Sequence, residues 1–160
     1  MDLKYKIKHF KELSLEELYE ICKLRYEVFV CDQEITCEND FDDRDKECYH
    51  LMVYLEDKMV AYCRILKAGV SYDAPSIGRV LVLKEHRRKN IAKLMMEKAI
   101  EFTMSNLGNE IKLSAQLYVK ELYKSLGFEE VSEVYEEALI PHIKMKYKKK
   151  YKSYLEIVDI

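Results

Sequence analysis

Apolar residues alternate with lysines at the start of the chain: in MDLKYKIKHF, Leu3, Tyr5 and Ile7 interleave with Lys4, Lys6 and Lys8. A period of two sorts these sets onto opposite sides of an extended segment, which predicts a strand with one wet face. The period then lengthens. In SLEELYEICKLRYEVFV, residues Leu15, Leu18, Ile21, Cys22, Arg25 and Phe29 recur at helical spacing, and Ser14 with Glu17 has capping-box spacing. A helix of about four turns is expected. Arg25 interrupts its apolar face, so its head either snorkels to the edge or pairs with a buried carboxylate near a pocket.

Residues 36–48, TCENDFDDRDKEC, show no period and predict a solvated acidic loop, whose field could also attract a cationic substrate. Its Asp spacing resembles a calcium loop superficially, but the sixth-position glycine and the closing bidentate Glu are missing. HLMVYLEDKMVAYCRILK predicts two strands joined around Glu56, Asp57 and Lys58. AGVSYDAPS predicts a loop and IGRVLVL a buried strand. NIAKLMMEKAIEFTMSN predicts a helix with Ile91, Leu94, Met95, Ala99 and Phe102 on one face. EIKLSAQ reads as a strand, QLYVKELYKSLGF as a helix ended by left-handed Gly127, and EEVSEVYEEALIPHIKMKYKK as one or two late strands. No repeat and no Pro/Gly/Ser linker divides the chain. The order β-α-β-β-β-α-β-α-β predicts one α/β domain over 1–150, with a mixed central sheet flanked by helices, and a short extension over 151–160.

Composition narrows the class. The 160 residues are 49% hydrophobic and 35% charged, enough for a core without disulfides or metal. A formal net charge of −2 argues against a general polyanion binder. The five cysteines are odd in number, with no CxxC pair and no metal spacing, as expected of reduced thiols in an intracellular protein. The start lacks an apolar leader core, and no apolar run approaches the ~18–20 residues of a membrane span, so a cytoplasmic protein is expected. KMKYKKKYK, Lys144 to Lys152, reads as a lysine-guarded strand edge with a solvated extension. Its alternative, RNA or ribosome contact through phosphate charge and Tyr stacking, lacks any supporting RNP, KH or zinc pattern.

The most informative stretch is LVLKEHRRKNIAKLMMEKAI, residues 81–100. A strand passes through His86, Arg87, Arg88 and Lys89 directly into a helix. Cations in a first helical turn oppose the helix dipole unless an anion answers them, and free backbone N–H groups there suit a phosphate or pyrophosphate. Neither GxxxxGK nor GxGxxG is present, so this is not a P-loop or a dinucleotide fingerprint.

The same residues resemble motif A of the GNAT superfamily of N-acetyltransferases, a strand followed by Q/R-x-x-G-x-G/A opening a helix, here Arg87-Arg88-Lys89-Asn90-Ile91-Ala92. AQLYVKELYKSLGFEEV is similar to the family's motif B, with Tyr123 four residues before Gly127-Phe128. LRYEVFVCDQ, AYCRILK with IGRVLV, and EVYEEALIPHIKM resemble the ElaA-type branch of small bacterial acyltransferases. The resemblance spans nearly all of residues 10–147 and implies the single-domain GNAT fold, with acetyl-CoA as cosubstrate and no metal. It implies that the backbone of Val80, Leu81 and Val82 lies along the pantetheine arm. Arg87, Arg88, Lys89, Asn90, Ile91, Ala92 and Lys93 would meet the pyrophosphate. Gln116, where the family usually has Asn, would hydrogen-bond the cofactor, and Tyr123 would protonate the leaving thiolate.

Two departures stand out. Asn90 replaces the usual glycine; Asn is the next most permissive residue for a left-handed backbone. Ile111 and Lys112 stand where the family's common general-base Glu falls, which leaves His142, Glu34 and Asp32 as candidate bases. The residues alone allow blander roles: Tyr123 shares a helical face with Val119, Leu122 and Leu126, as a core tyrosine would, and His142 after Pro141 could simply end a strand. The expected activity is direct transfer of an acetyl group, within a ternary complex, to a primary, cationic amine. A non-catalytic acyl-CoA sensor of the same fold is the alternative, and a homodimer is left open.

Overall fold

A computed structural model describes residues 1–150. The eight strands are β1 (Leu3–His9), β2 (Tyr49–Leu55), β3 (Lys58–Leu66), β4 (Ser76–Val82), β5 (Glu110–Gln116), β6 (Glu129–Glu130), β7 (Tyr135–Glu137) and β8 (Ile140–Lys148). They form one mixed sheet in the order β1-β2-β3-β4-β5-β8-β6, with β7 also on β8. Every pairing is antiparallel except β4 with β5.

Helices cover both faces. Helix α1 (Leu15–Arg25) opens on the expected capping box: the Ser14 hydroxyl accepts from the Glu17 N–H at 3.0 Å, and the Glu17 carboxylate accepts from the Ser14 N–H at 2.9 Å. Instead of ending, the helix widens into a π-helical segment, Tyr26–Asp32, so the helical run outlasts the four turns expected. Ile21, Leu24, Val28 and Phe29 pack on Met52, Tyr62 and Leu81. On the opposite face, Ile91, Met95, Met96 and Ala99 of α2 (Ile91–Asn106) and Tyr123 of α3 (Lys120–Ser125) pack on Leu51, Val53, Cys63, Ile111, Leu113 and Ala115. Alternate strand positions feed the two cores, as period-two patterning requires.

The segment expected to be one helix over 116–128 begins as a tight 3-10 turn, Leu117–Val119, and only Lys120–Ser125 are α-helical. It closes as a Schellman motif: the Phe128 N–H donates to the Tyr123 carbonyl at 3.0 Å and the Gly127 N–H to the Lys124 carbonyl at 3.0 Å. Gly127 has φ +98°, and an added Cβ would lie 3.2 Å from the Tyr147 ring. Gly127→Ala is therefore expected to lower stability by roughly 1–2 kcal/mol, read as a lower urea midpoint at unchanged slope. The late segment makes three strands rather than one or two, with Ala138 and Leu139 both left-handed (φ +50° and +62°) in the turn between β7 and β8. Of the lysine-rich stretch, Lys144–Lys148 belong to β8 and Lys146 pairs with Glu110 at 3.0 Å, while Tyr151 and Lys152 lie outside the described residues.

The acidic loop differs from expectation. It is not simply solvated, because three of its four aspartates, Asp40, Asp42 and Asp45, turn inward onto arginines from three elements. Arg25 Nε donates to Asp40 Oδ2 at 2.7 Å and Nη1 to Asp45 Oδ1 at 2.8 Å. Arg64 on β3 holds Asp42 through both terminal nitrogens, at 2.7 and 2.6 Å, and reaches Asp45 at 3.0 Å. Arg79 on β4 lies 2.6 Å from Asp40 Oδ1. Arg25 and Arg64 are 2% and 3% exposed, so these charges have few partners but one another. Burial works to raise the carboxyl of Asp42, but the hydrogen bond and charge of Arg64 overcome it and hold that group well below the usual range; Asp45 is lowered in the same way by Arg25 and Arg64. The period could not reveal this, since a loop's sequence does not say where its side chains point.

Candidate active site

The parallel pair β4/β5 is joined by a single rung, Ser76 opposite Lys112; beyond it the strands part and the sheet splits. Strand β4 is also bulged there. It advances from Leu81 to Gly78 while its partner advances only from Tyr62 to Arg64, and Arg79 adopts a left-handed φ of +52°. The bulged residue is the one fastened to Asp40, so the arginine–aspartate network also fixes the shape of β4 at the split. Val80 is half-buried beside the α2 core, Leu81 packs in the α1 core and Val82 in the α2 core, which leaves their main chain along the edge of the opening.

The strand leads through a 3-10 turn, Lys84–His86, to the start of α2. Arg88 and Asn90 are left-handed, with φ +61° and +64°. Asn90 thus adopts the conformation for which its permissiveness was invoked. The Leu94 N–H donates to the Asn90 carbonyl at 3.2 Å, so the N–H groups of Ile91, Ala92 and Lys93 precede the first helical bond and have no acceptor within the helix. The first turn carries no acidic residue. Arg88 and Lys89 are exposed and make no ion pair with any described residue. Arg87 turns back instead, with Nε donating to the Val82 carbonyl at 2.9 Å and Nη2 lying 2.7 Å from Asp32. It braces the turn against the strand and the π-helical segment. Asp32, a candidate base in the sequence, is thereby engaged in ion pairing, and Glu34 is exposed with φ +56°.

Tyr123 is 5% exposed, its ring edge-on to Phe128 with centroids 5.8 Å apart. Its hydroxyl has no hydrogen-bond partner among the described residues, yet it is not one of the fully enclosed polar atoms. Burial pushes the phenol well above its ordinary value, with smaller contributions from Cys63 and Tyr118. Core packing and an available O–H thus coexist at this residue.

Gln116 ends β5 facing the π-helical segment: its Nε2 donates to Gln33 Oε1 at 3.1 Å, and Gln33 Nε2 lies 3.4 Å from both Gln116 Oε1 and the Tyr118 hydroxyl. Gln33 was not singled out in the sequence, although it closes the LRYEVFVCDQ segment. Its partners are over 80 residues away in the chain, and no local period reports such a contact.

His142 is 6% exposed on β8, opposite Gln116 on one side and Tyr135 on the other. Both of its ring nitrogens are engaged: Nδ1 lies 2.7 Å from the Ile140 carbonyl, and Nε2 3.3 Å from Glu137 Oε2. Ser114 joins the group, with its hydroxyl donating to Glu137 Oε2 at 3.1 Å and hydrogen-bonded to the Tyr135 hydroxyl. Glu137 and Tyr135 also border an open depression of about 390 Å³, together with Cys37, Glu38, Glu136 and Leu139.

A sheet split between its two parallel strands, above a helix that opens on a left-handed turn, defines a class that comparison with known proteins identifies. The structure superimposes on the crystal structure of Escherichia coli ElaA with a TM-score of 0.84 at 34% identity, over 92% of this chain and 100% of that one. An acyl-CoA N-acyltransferase from Pseudomonas aeruginosa matches with a TM-score of 0.82 at 34% identity, over 91% and 99%. This is the acyl-CoA N-acyltransferase fold. In sequence, Protein ElaA of Escherichia coli (strain K12) is 37% identical over 139 residues, 86% of this chain and 91% of that protein. The pattern of the Acetyltransferase (GNAT) domain matches residues 12–149, and the chain belongs to that family.

Proposed function

We propose that the protein transfers an acetyl group from acetyl-CoA to a primary amine by direct attack within a ternary complex. The observation that carries this reading is the meeting of two features: β4 main chain freed by the split, and a first helical turn whose N–H groups lack acceptors within the helix while Arg88 and Lys89 lack ion-pair partners among the described residues. An exposed basic turn without a neutralising carboxylate fits a diphosphate, and an unpaired extended strand fits an amide-containing arm that hydrogen-bonds as a strand does. In this reading, an N–H near Val82 polarises the thioester carbonyl and Tyr123 protonates the departing thiolate. Gln116, paired with Gln33, stands at the mouth of the opening.

Calorimetric titration with acetyl-CoA tests the grip, and a thiol-release assay against a panel of primary amines tests the chemistry. No binding at millimolar concentration would sink the reading. Binding without thiol release from any amine would favour the sensor. Arg88→Ala and Lys89→Ala are each expected to weaken acetyl-CoA binding roughly threefold to tenfold at low salt, and less at high salt, because exposed charges are screened beyond about 10 Å at 0.1 M. Unchanged affinity in both variants would return the turn to an ordinary solvated corner.

A further inference from the structure

The sequence leaves the proton acceptor open, and the side chains around β7 narrow it. His142 is poorly placed to take a proton directly, since Nδ1 faces a carbonyl and Nε2 faces a carboxylate. A nitrogen facing a carbonyl must carry the hydrogen itself, so Nδ1 donates to Ile140 and only Nε2 is left to face Glu137. Glu137 has the opposite arrangement. Its Oε2 is held by the Ser114 hydroxyl and approached by His142, while Oε1 makes no hydrogen bond or ion pair with any described residue. The side chain is 47% exposed at the rim of the depression. One oxygen is therefore anchored and the other is free.

Position supports a role in the reaction. Lys112 forms the last rung joining β5 to β4, and Ser114 lies two residues further along β5 on the same side, where the strands have already parted. A carboxylate held by Ser114 is consequently beside the split, on the face that carries α1. The charged and titratable groups around it are His142 on β8, Tyr135 and Glu136 on β7, Cys37 and Glu38 from the loop, Tyr72 from the β3–β4 connection, and Lys144. The Lys144 ammonium sits 6.0 Å and 5.8 Å from the Tyr72 and Tyr135 ring centroids, so it is drawn toward the rings.

We propose that Glu137 Oε1 receives the acceptor amine as its ammonium ion and takes its first proton, with His142 and Ser114 acting as positioning residues for that carboxylate. This rests on the acyl-transfer reading above. The step balances: an ammonium R–NH3⁺ carries three protons and the product amide keeps one. One proton passes to Glu137 and on to water through the open depression. The freed lone pair forms the C–N bond as the C–S bond breaks, Tyr123 gives its proton to the thiolate, and the remaining amine proton restores Tyr123. The chemical class selected is a primary amine that is protonated when it binds.

The test compares wild type with Glu137→Gln, which keeps the volume and the Ser114 hydrogen bond, using acetyl-CoA with propylamine, spermidine and a peptide bearing a free N-terminus. With the best of these amines, Glu137→Gln is expected to lower kcat about 100-fold and to leave acetyl-CoA affinity and melting temperature unchanged. The pH profile separates catalysis from scaffolding. With propylamine or spermidine, whose ammonium groups titrate near ~10, the wild-type kcat/KM should vary little between pH 7 and 9, whereas that of Glu137→Gln should rise about tenfold per unit, because only amine already deprotonated in solution can then react. With the peptide, whose amine titrates near ~8, the rise should level off above that pH. His142→Asn and Ser114→Ala should lose about tenfold in kcat and keep the wild-type pH profile. If Glu137→Gln retains wild-type kcat and a flat profile while acetyl-CoA still binds and turns over, the assignment fails alone. If wild type binds no acetyl-CoA, or binds it and releases no thiol with any amine, the transfer reading fails and takes this role with it.

Discussion

Replacing Tyr123 by Phe is expected to lower kcat about 100-fold while leaving acetyl-CoA affinity within about twofold. Phe keeps the ring that packs edge-on against Phe128, and the hydroxyl it removes has no partner among the described residues to orphan, so the fold should hardly notice. What is lost is the proton for the departing thiolate. Because burial raises the phenol above its ordinary value near ~10, the group stays protonated throughout the neutral and mildly alkaline range. The deficit should therefore be independent of pH between 6 and 9, unlike that of a base variant. Steady-state thiol release gives kcat and calorimetry gives the affinity. Equal turnover in the two proteins would remove Tyr123 from the acid role and leave its ring as core packing.

The largest stability effect is expected at Arg25. Arg25→Met fills a similar volume but removes one of the two arginines that hold each of Asp40 and Asp45, whose carboxylates face the Arg25 guanidinium at 2.7 and 2.8 Å. Removing one partner from a buried ion pair costs about 3–5 kcal/mol when the remaining charge is left uncompensated; here Arg79 and Arg64 each still hold one carboxylate, so a loss of roughly 2–3 kcal/mol is expected. The loss should depend on pH. Carboxyls whose folded-state values are depressed stabilise the fold above their unfolded value, near ~3.9 for Asp, and that contribution disappears as the pH falls toward the depressed value. Asp42 and Asp45 are both of this kind. Wild type should therefore weaken progressively below about pH 4, and the gap between wild type and Arg25→Met should be smaller at pH 3 than at pH 7. Urea unfolding at the two pH values checks both points. A loss under about 1 kcal/mol at pH 7 would mean that water or neighbouring arginines satisfy the two aspartates.

What could be read in the chain and what could not divide along a physical line. Alternation exposed β1, the capping box exposed the start of α1, the charge conflict in the first turn of α2 marked Arg87, Arg88 and Lys89, and the family motif marked Asn90. These are local signals, set by residues within a few positions of one another. The ion pairs from Arg25 to Asp40 and Asp45 span 15 and 20 residues, and the Gln33–Gln116 bridge spans 83. Such contacts depend on how the elements pack, so the acidic loop read as solvated and Gln33 went unremarked. Arg87 shows the limit within one motif: its position in the pattern was plain, but its guanidinium turns back to Val82 and Asp32. Glu137 is similar, because nothing in EVYEEALIPH says which of its neighbouring glutamates will meet Ser114 and His142.

The inward pairing of the loop aspartates has an electrical consequence. With Asp40, Asp42 and Asp45 neutralised by Arg25, Arg64 and Arg79, the uncompensated charge near the split is sorted by side. Arg88 and Lys89 stand at the helix that covers one face of the sheet, while Glu38, Glu136 and Glu137 ring the depression on the other. Around the split, positive and negative side chains thus stand on opposite faces of the sheet, with Lys144 offsetting part of the acidic side. An anion and a cation arriving from solution would be drawn to opposite faces and would meet only where the strands part.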